Sequence, residues 1–169
     1  MTTTVRLGGR PNALRRLLST DTEAVLPQVG LAALRIIVGI LVATFHGWHK
    51  VVQGWQYLTA GSDWPLLHDT AQLGFPLPVL FTILAALSQF LGGWLLVVGA
   101  CTRVAAFLVA STMLTATVFN LQTGGPDVQL AGLYALVTGA FVFIGGGRWS
   151  IDRYLDTAPR IVGFAKETP

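Results

Sequence analysis

A single cation lies within the first long apolar stretch of the chain, and a basic, aromatic cluster follows it. Arg35 is the only charged residue among residues 29–45, and His46-Gly47-Trp48-His49-Lys50 comes three helical turns later. At 3.6 residues per turn, one helical face contains Arg35, Gly39, Val42, His46 and His49. An ionisable side chain inside hydrocarbon is energetically costly and is a functional-site candidate by default.

The cluster at the end of this stretch could bind a redox ligand. His46, His49 and Lys50 have i, i+3, i+4 spacing, so they are expected to project to one side of a helix. Histidine exchanges protons near neutral pH, and imidazole, ammonium and aromatic groups suit the carbonyls of a quinone head group. The same residues could instead anchor the helix at the membrane interface, and the sequence leaves both interpretations open.

Arg35 has two interpretations as well. Its long stem could reach back to lipid phosphates, or it could face the other helices and hold an anionic or carbonyl-bearing group. In the second case its five N–H donors need acceptors, and the apolar stretches contain no carboxylate. The Gln89 carbonyl, hydroxyl groups, backbone carbonyls or a ligand must then accept these bonds. We expect Arg35, His46, His49, Lys50 and Gln89 to line a quinone-like site.

Other kinds of centre have little support in the sequence. The one cysteine, Cys101, excludes an intramolecular disulfide and a Cys-x-x-Cys redox pair. Two histidines on one helical face cannot ligate both sides of a haem, and no specific zinc-ligand spacing is present. The sequence contains no nucleophile–base triad, phosphate-binding glycine loop or cofactor fingerprint. We therefore expect no metal and no intrinsic cofactor, with a quinone as the candidate ligand.

Composition indicates how these residues are positioned. The 169-residue chain is 53% hydrophobic and only 11% charged, whereas soluble domains have about 25% charged residues. Stretches without Asp, Glu, Lys or Arg cover residues 70–102, 104–126 and 128–147, and each is long enough to cross a bilayer. Together with the Arg35 stretch they predict an all-α integral membrane protein, an antiparallel four-helix bundle with short connections.

The predicted domain organisation follows these stretches. Residues 1–28 form a basic cytoplasmic segment, residues 29–147 form the four-span domain, and residues 148–169 form a cytoplasmic tail. The predicted spans are about 29–52, 78–98, 103–120 and 128–144. Arginines flank the predicted cytoplasmic ends, so the positive-inside rule puts both termini in the cytoplasm. The aromatic loop over residues 53–77 could be a lid or a re-entrant segment.

Short motifs in matching order resemble the DoxX family of small four-helix membrane proteins. Together they cover about residues 30–155. The matching segments are Arg35-x3-Gly39, His46-Gly47-x2-Lys50, Gly74-Phe75-Pro76-Leu77-Pro78, Gly92-Gly93 with Gly99-x2-Thr102-Arg103, Met113 with Ala116, and Gly145-Gly146-Gly147-Arg148-Trp149-Ser150-Ile151-Asp152.

The resemblance implies a membrane part of a redox system. Related chains form the membrane part of an archaeal thiosulfate:quinone oxidoreductase, and others associate with redox and oxidative-stress partners. The family usually has Glu in the second helix where this chain has Gln89. Glutamine does not titrate, which argues against proton-coupled chemistry through that position, although its amide can still bind a carbonyl.

The leading expectation is a quinone- or lipid-binding membrane subunit of an oxidoreductase system in the bacterial inner membrane. Its expected partners are the lipid bilayer and a soluble or membrane redox protein, with no nucleic acid, and a homo-oligomer is compatible with the sequence. The alternative is a non-enzymatic membrane protein that assembles or organises other complexes. A small permease or proton path is disfavoured by the few ionisable residues.

Overall fold

The computed structural model describes residues 25–157, and within this range the chain is helical with short connections and no strand. The predicted basic segments lie outside the described residues, apart from residues 25–28 and 148–157. The helices are α1 (Val25–Leu41), a π-helical segment (Val42–Gly47), α2 (Trp48–Ala60), α3 (Pro65–Gln72), α4 (Pro78–Val98), α5 (Thr102–Thr123), α6 (Val128–Ile144) and α7 (Ile151–Thr157).

The first three elements form one continuous helix. It runs over Val25–Ala60, 36 residues, or about 54 Å at the rise of an α-helix. The hydrocarbon core of a bilayer is roughly 30 Å thick, so part of this helix must project beyond it. The sequence predicted that the helix ends near residue 52, but it continues until Gly61, which is left-handed and donates its N–H to the Tyr57 carbonyl at 3.1 Å.

Residues 53–77, predicted as an aromatic loop, are therefore partly helical, with one helical part on each side of a short turn. Its first part is the end of α2, and its second part contains α3, which begins at Pro65 directly after the buried Trp64. Proline fits the first position of a helix, because its missing N–H would have no partner there. Periodicity alone did not reveal α3, since its eight residues form barely two turns.

The later helices agree with the predicted spans. α4 coincides with the predicted 78–98, and α5 and α6 cover 103–120 and 128–144. Within residues 25–157, three helices are long and apolar enough to cross a membrane: Val25–Ala60, Pro78–Val98 and Thr102–Thr123. α6 is apolar but has 17 residues, near the lower limit for a span. A fourth crossing at α6 and the cytoplasmic location of the termini remain predictions.

The long helices pack in a closed ring. The first helix packs on α4, α4 on α5, α5 on α6, and α6 returns to α1. The core inside the ring is small and apolar, and its buried members are Val38, Val42, Leu96, Ala105, Ala106, Val109, Met113, Tyr134 and Phe141. Large apolar side chains such as Ile37, Leu84 and Phe107 point outward, as expected for helices that face lipid.

Small residues let the first helix approach α4 backbone to backbone. A Cβ added at Gly39 would lie 2.7 Å from the Gly93 carbonyl oxygen, and one added at Gly93 would lie 2.8 Å from the Ala43 nitrogen. A Cβ at Gly47 would lie 2.6 Å from Phe90 Cα. Such close approach is typical of small residues at membrane helix interfaces, and it fixes the depth of each helix relative to the other.

We predict that Gly93→Ala destabilises the protein by about 1–3 kcal/mol, because backbone atoms on the facing helix cannot make room for the methyl group. Gly139→Ala is the matched control, since an added Cβ there meets nothing within 4 Å. Thermal unfolding midpoints of the detergent-purified variants provide the measurement. Equal midpoints for the two variants would show that the contact between the helices is looser than the structure indicates.

Candidate functional site

Arg35 faces the inside of the bundle and is 1% exposed. Its guanidinium donates to the Leu96 carbonyl at 2.5 Å, to the Trp149 carbonyl at 2.7 Å and to the Val97 carbonyl at 3.4 Å. Carbonyls in the last turn of a helix have no partner within that helix, and they carry the negative end of the helix dipole. The arginine therefore caps α4 and ties it to the segment that follows α6.

Asp152 makes the complementary contact at the start of α5. Its carboxylate accepts the backbone N–H groups of Cys101 at 2.6 Å and Thr102 at 2.8 Å, and its own N–H donates to the Gly99 carbonyl at 3.0 Å. Burial alone would raise the pKa of Asp152, but the hydrogen bonds from Thr102 and Cys101 and the charge of Arg35 outweigh it and lower the pKa. This carboxyl therefore stays ionised.

These contacts form one structural unit, which we name the helix-end cluster: Arg35, Gly99, Thr102, Trp149 and Asp152. The turn between α4 and α5 passes so close to Arg35 that a Cβ at Gly99 would overlap the guanidinium. Two groups of motif residues from the sequence, Gly99 to Arg103 and Gly145 to Asp152, thus meet around Arg35. They serve to join helix ends.

The rest of the predicted site lies far from Arg35. Lys50 is fifteen residues further along the same helix, which corresponds to roughly 20 Å. Its ammonium donates to the Gln89 side-chain carbonyl at 2.8 Å. The sequence analysis placed Lys50 and Gln89 in one site with Arg35 and offered the Gln89 carbonyl as an acceptor for the guanidinium. In the structure this carbonyl accepts from Lys50 instead, whereas Arg35 donates to backbone carbonyls.

The π-helical segment decides which residues point inward at this end. A π-helix contains one more residue per hydrogen-bonded turn than an α-helix, so it moves the following residues around the helix axis. From Gly47, the last residue of the π-helical segment, the face that continues from Arg35 contains Gly47, Lys50 and Gly54. These residues lie against Phe90, Gln89 and Trp64 respectively. His49, which uniform α-helical periodicity assigns to that face, is exposed.

His46 lies inside the π-helical segment and points toward α6. Its ring packs edge-on against Tyr134 with centroids 4.9 Å apart. Its Nδ1 atom is buried and makes no hydrogen bond of good geometry with the described residues. His46 is one turn from Lys50, so the imidazole and the ammonium belong to the same end of the bundle.

Two residues that the sequence analysis did not assign to the site come from the segment between α2 and α4. Trp64 is 2% exposed and its indole N–H is buried without an acceptor among the described residues. Asp69 lies on α3, where burial raises its pKa and the charges of Lys50 and His68 offset part of the rise. The aromatic content of the loop was a usable signal for Trp64, but no spacing rule connects Asp69 to Lys50.

We name this second group of residues the Lys50 cluster: His46, Lys50, Trp64, Asp69, Gln89 and Tyr134. It combines an ammonium, an amide carbonyl, an imidazole and an indole N–H, with aromatic rings beside them. Lys50 has three N–H donors, and one of them is held by Gln89. The chemistry that these groups support is the binding of a ligand that accepts hydrogen bonds.

Comparison with known proteins gives one match. The family model described as DoxX matches residues 30–122, which include Arg35, the π-helical segment, Lys50 and Gln89. No curated protein and no solved structure matches the chain.

We predict that Arg35→Met lowers stability by about 2–4 kcal/mol, because hydrogen bonds from a charged donor are lost and buried carbonyls lose their partners. Arg103→Met is the control, since Arg103 is exposed and makes one long contact, 3.4 Å, to the Phe143 carbonyl. Its effect should stay within about 0.5 kcal/mol. Thermal unfolding midpoints test this. If Arg35→Met unfolds like the parent protein, the structural role of Arg35 is refuted.

Proposed function

Because this chain belongs to the DoxX family of multi-pass membrane proteins, we propose that it binds a quinone head group at the Lys50 cluster and acts as the membrane subunit of a redox system in the bacterial inner membrane. The observation that carries this proposal is a pair of hydrogen-bond donors, one without an acceptor and one with spare N–H groups. Among the described residues, the buried Trp64 indole N–H has no acceptor and the Lys50 ammonium donates to one neutral acceptor, Gln89.

Unpaired buried donors cost free energy that a ligand can recover. A buried donor without a partner costs about 1–3 kcal/mol. A quinone carries two carbonyl oxygens on a flat ring, so it can accept from Lys50 and from a second donor while its ring stacks beside aromatic residues. Trp64 with Tyr57, at a centroid distance of 5.8 Å, and the His46–Tyr134 pair supply such surfaces.

The position of the cluster along the helix supports a ligand that enters from the lipid. The first helix is longer than the hydrocarbon core is thick, and Lys50 lies in the half that ends at Ala60. Trp48 and Phe90, which pack with ring centroids 5.9 Å apart, stand beside the cluster. Trp48 is 53% exposed, as is typical of aromatic residues at the membrane interface.

In this proposal the chain binds the quinone and a partner protein supplies the electrons. Reduction of a quinone to a quinol takes two electrons and two protons, and the sequence contains no motif for a flavin or haem. A flavin- or haem-containing partner is therefore the expected electron donor. Arg35 and His49, which the sequence analysis included in the site, are not part of the proposed binding group, since Arg35 caps α4 and His49 is exposed.

We predict saturable binding of ubiquinone or menaquinone to the purified protein. Lys50→Met should raise the dissociation constant about tenfold or more, because a charged donor is lost, and Gln89→Leu should also weaken binding. His49→Ala is the control, since it changes the neighbouring exposed residue. Quenching of tryptophan fluorescence by the quinone measures the affinity. Absence of saturable binding, or equal affinities for Lys50→Met and the parent, would refute the proposal.

A second candidate is a membrane protein that assembles or organises other complexes. The observation in its favour is that Arg35, the cation deep in the apolar part, donates to the backbone carbonyls of Leu96 and Trp149 at the helix ends. Co-purification separates the two candidates. A stable partner that contains flavin or haem supports the redox subunit, and a transient client without either supports the organising role.

A further inference from the structure

A short segment between two left-handed glycines contributes Trp64 and Asp69 to the Lys50 cluster. It comprises residues 61–74, with Gly61 at φ 65° and Gly74 at φ 76°. Glycine adopts such φ values without strain, whereas other residues rarely do. An added Cβ at either glycine would meet nothing within 4 Å, so neither position is packed against the bundle. Both can change their backbone angles without disturbing neighbouring side chains, which is what a hinge requires.

One aromatic ring holds this segment against the first helix. A Cβ at Gly54 would lie 2.8 and 2.9 Å from two ring carbons of Trp64, and the ring is 2% exposed. Gly54 follows Lys50 by four residues on the same face of α2. Trp64 therefore fills the groove that Gly54 leaves open, at a point one helical turn along α2 from Lys50, and it directly precedes α3.

The same segment carries an acidic residue whose charge acts on Lys50. Asp69 is half-buried on α3. The next residue, Thr70, is 7% exposed and donates its hydroxyl to the Leu66 carbonyl at 2.7 Å. α3 also packs against α4. The segment thus contacts both helices that supply Lys50 and Gln89.

We propose that residues 61–74 form a hinged gate over the Lys50 cluster, with Gly61 and Gly74 as hinges, Trp64 as the latch seated at Gly54, and Asp69 as the group that makes closure sensitive to pH. Opening withdraws the Trp64 ring from Gly54 and uncovers Lys50. The identity of the ligand that passes the gate rests on the proposed function, but the motion of the gate does not.

Thiol labelling measures opening directly. The background variant is Cys101→Ser, which removes the one native cysteine, combined with Thr70→Cys as a buried reporter on α3. A water-soluble maleimide should label this position slowly in the closed protein. Gly54→Ala should raise the labelling rate about tenfold, because the added methyl group displaces the Trp64 ring. Gly30→Ala, where an added Cβ meets nothing within 4 Å, should leave the rate within about twofold.

A second latch variant and a reference site keep the test decisive. Trp64→Leu removes the ring itself and should also speed labelling, so the test does not depend on Gly54→Ala folding well. Ser62→Cys, at an exposed position of the same segment, gives the rate for an unprotected thiol. The gate is refuted if Thr70→Cys labels as fast as Ser62→Cys in the parent, or if neither latch variant changes the rate.

The pH dependence follows from Asp69. Burial raises its pKa above the ordinary value of 3.8, and Lys50 of α2 and His68 of α3 offset part of the rise. Opening exposes the carboxyl to water, so the closed gate holds the proton more tightly than the open gate. The titratable group on the neighbouring π-helical segment is His46. Protonation of Asp69 therefore favours closure, and opening should increase as the pH rises from 3.8 through the raised pKa.

The ratio of Thr70→Cys to Ser62→Cys labelling rates removes the effect of pH on thiol chemistry. This ratio should rise with pH in the parent and stay low and flat over the acidic range in Asp69→Asn, which cannot ionise. An equal pH dependence of this ratio in the parent and in Asp69→Asn would refute the role of Asp69.

Quinone binding separates the gate from the proposed function. A gate that opens as described in a protein that binds no quinone overturns the proposed function alone, whereas quinone association at the parent rate in both latch variants overturns the gate.

Discussion

The buried guanidinium of Arg35 is the constraint on which the rest of the structure depends. A cation in an apolar bundle needs acceptors, and the described spans have no carboxylate near it except Asp152 at the helix ends. The acceptors are backbone carbonyls at the end of α4 and at Trp149. These bonds draw α1, α4 and the segment before α7 to one point, and Asp152 adds the start of α5. The ionisable residue that first suggested chemistry is thus a structural junction.

The second constraint is the π-helical segment. Small residues recur every four positions in the first helix, at Gly39, Ala43 and Gly47. In a regular α-helix, which has 3.6 residues per turn, side chains at this spacing rotate gradually around the helix axis. The wider π turn reverses this rotation, so Gly47 still contacts α4 at Phe90, as Gly39 does at Gly93. The same turn directs Lys50 to Gln89 and leaves His49 exposed. Close packing of the two helices and the composition of the Lys50 cluster therefore have a common origin.

The sequence predicted the parts of this structure that follow from composition and regular periodicity. The bounds of α4 and α6 agree with it, and so does the inward direction of Arg35 that the expected site required. The contact of Lys50 with Gln89 was not predicted, because Gln89 was expected to be an acceptor for Arg35. The exposure of His49, the extension of the first helix to Ala60 and the existence of α3 could not be predicted in the same way. Each depends on a contact between distant residues, such as Gly47 with Phe90 or Gly54 with Trp64, which no local pattern contains. The DoxX resemblance identified the family, but its motif residues around Arg35 proved to join helix ends.

The Arg35–Trp149 hydrogen bond also has a consequence for biosynthesis. The two residues are 114 positions apart, and at translation rates of about 5–20 residues per second the second is made roughly 6–23 s after the first. During that interval the nascent first helix carries a cation whose final acceptors do not yet exist, so water, phospholipid headgroups or the insertion machinery must solvate it. A ribosome that stalls before Trp149 would leave this charge without its last carbonyl.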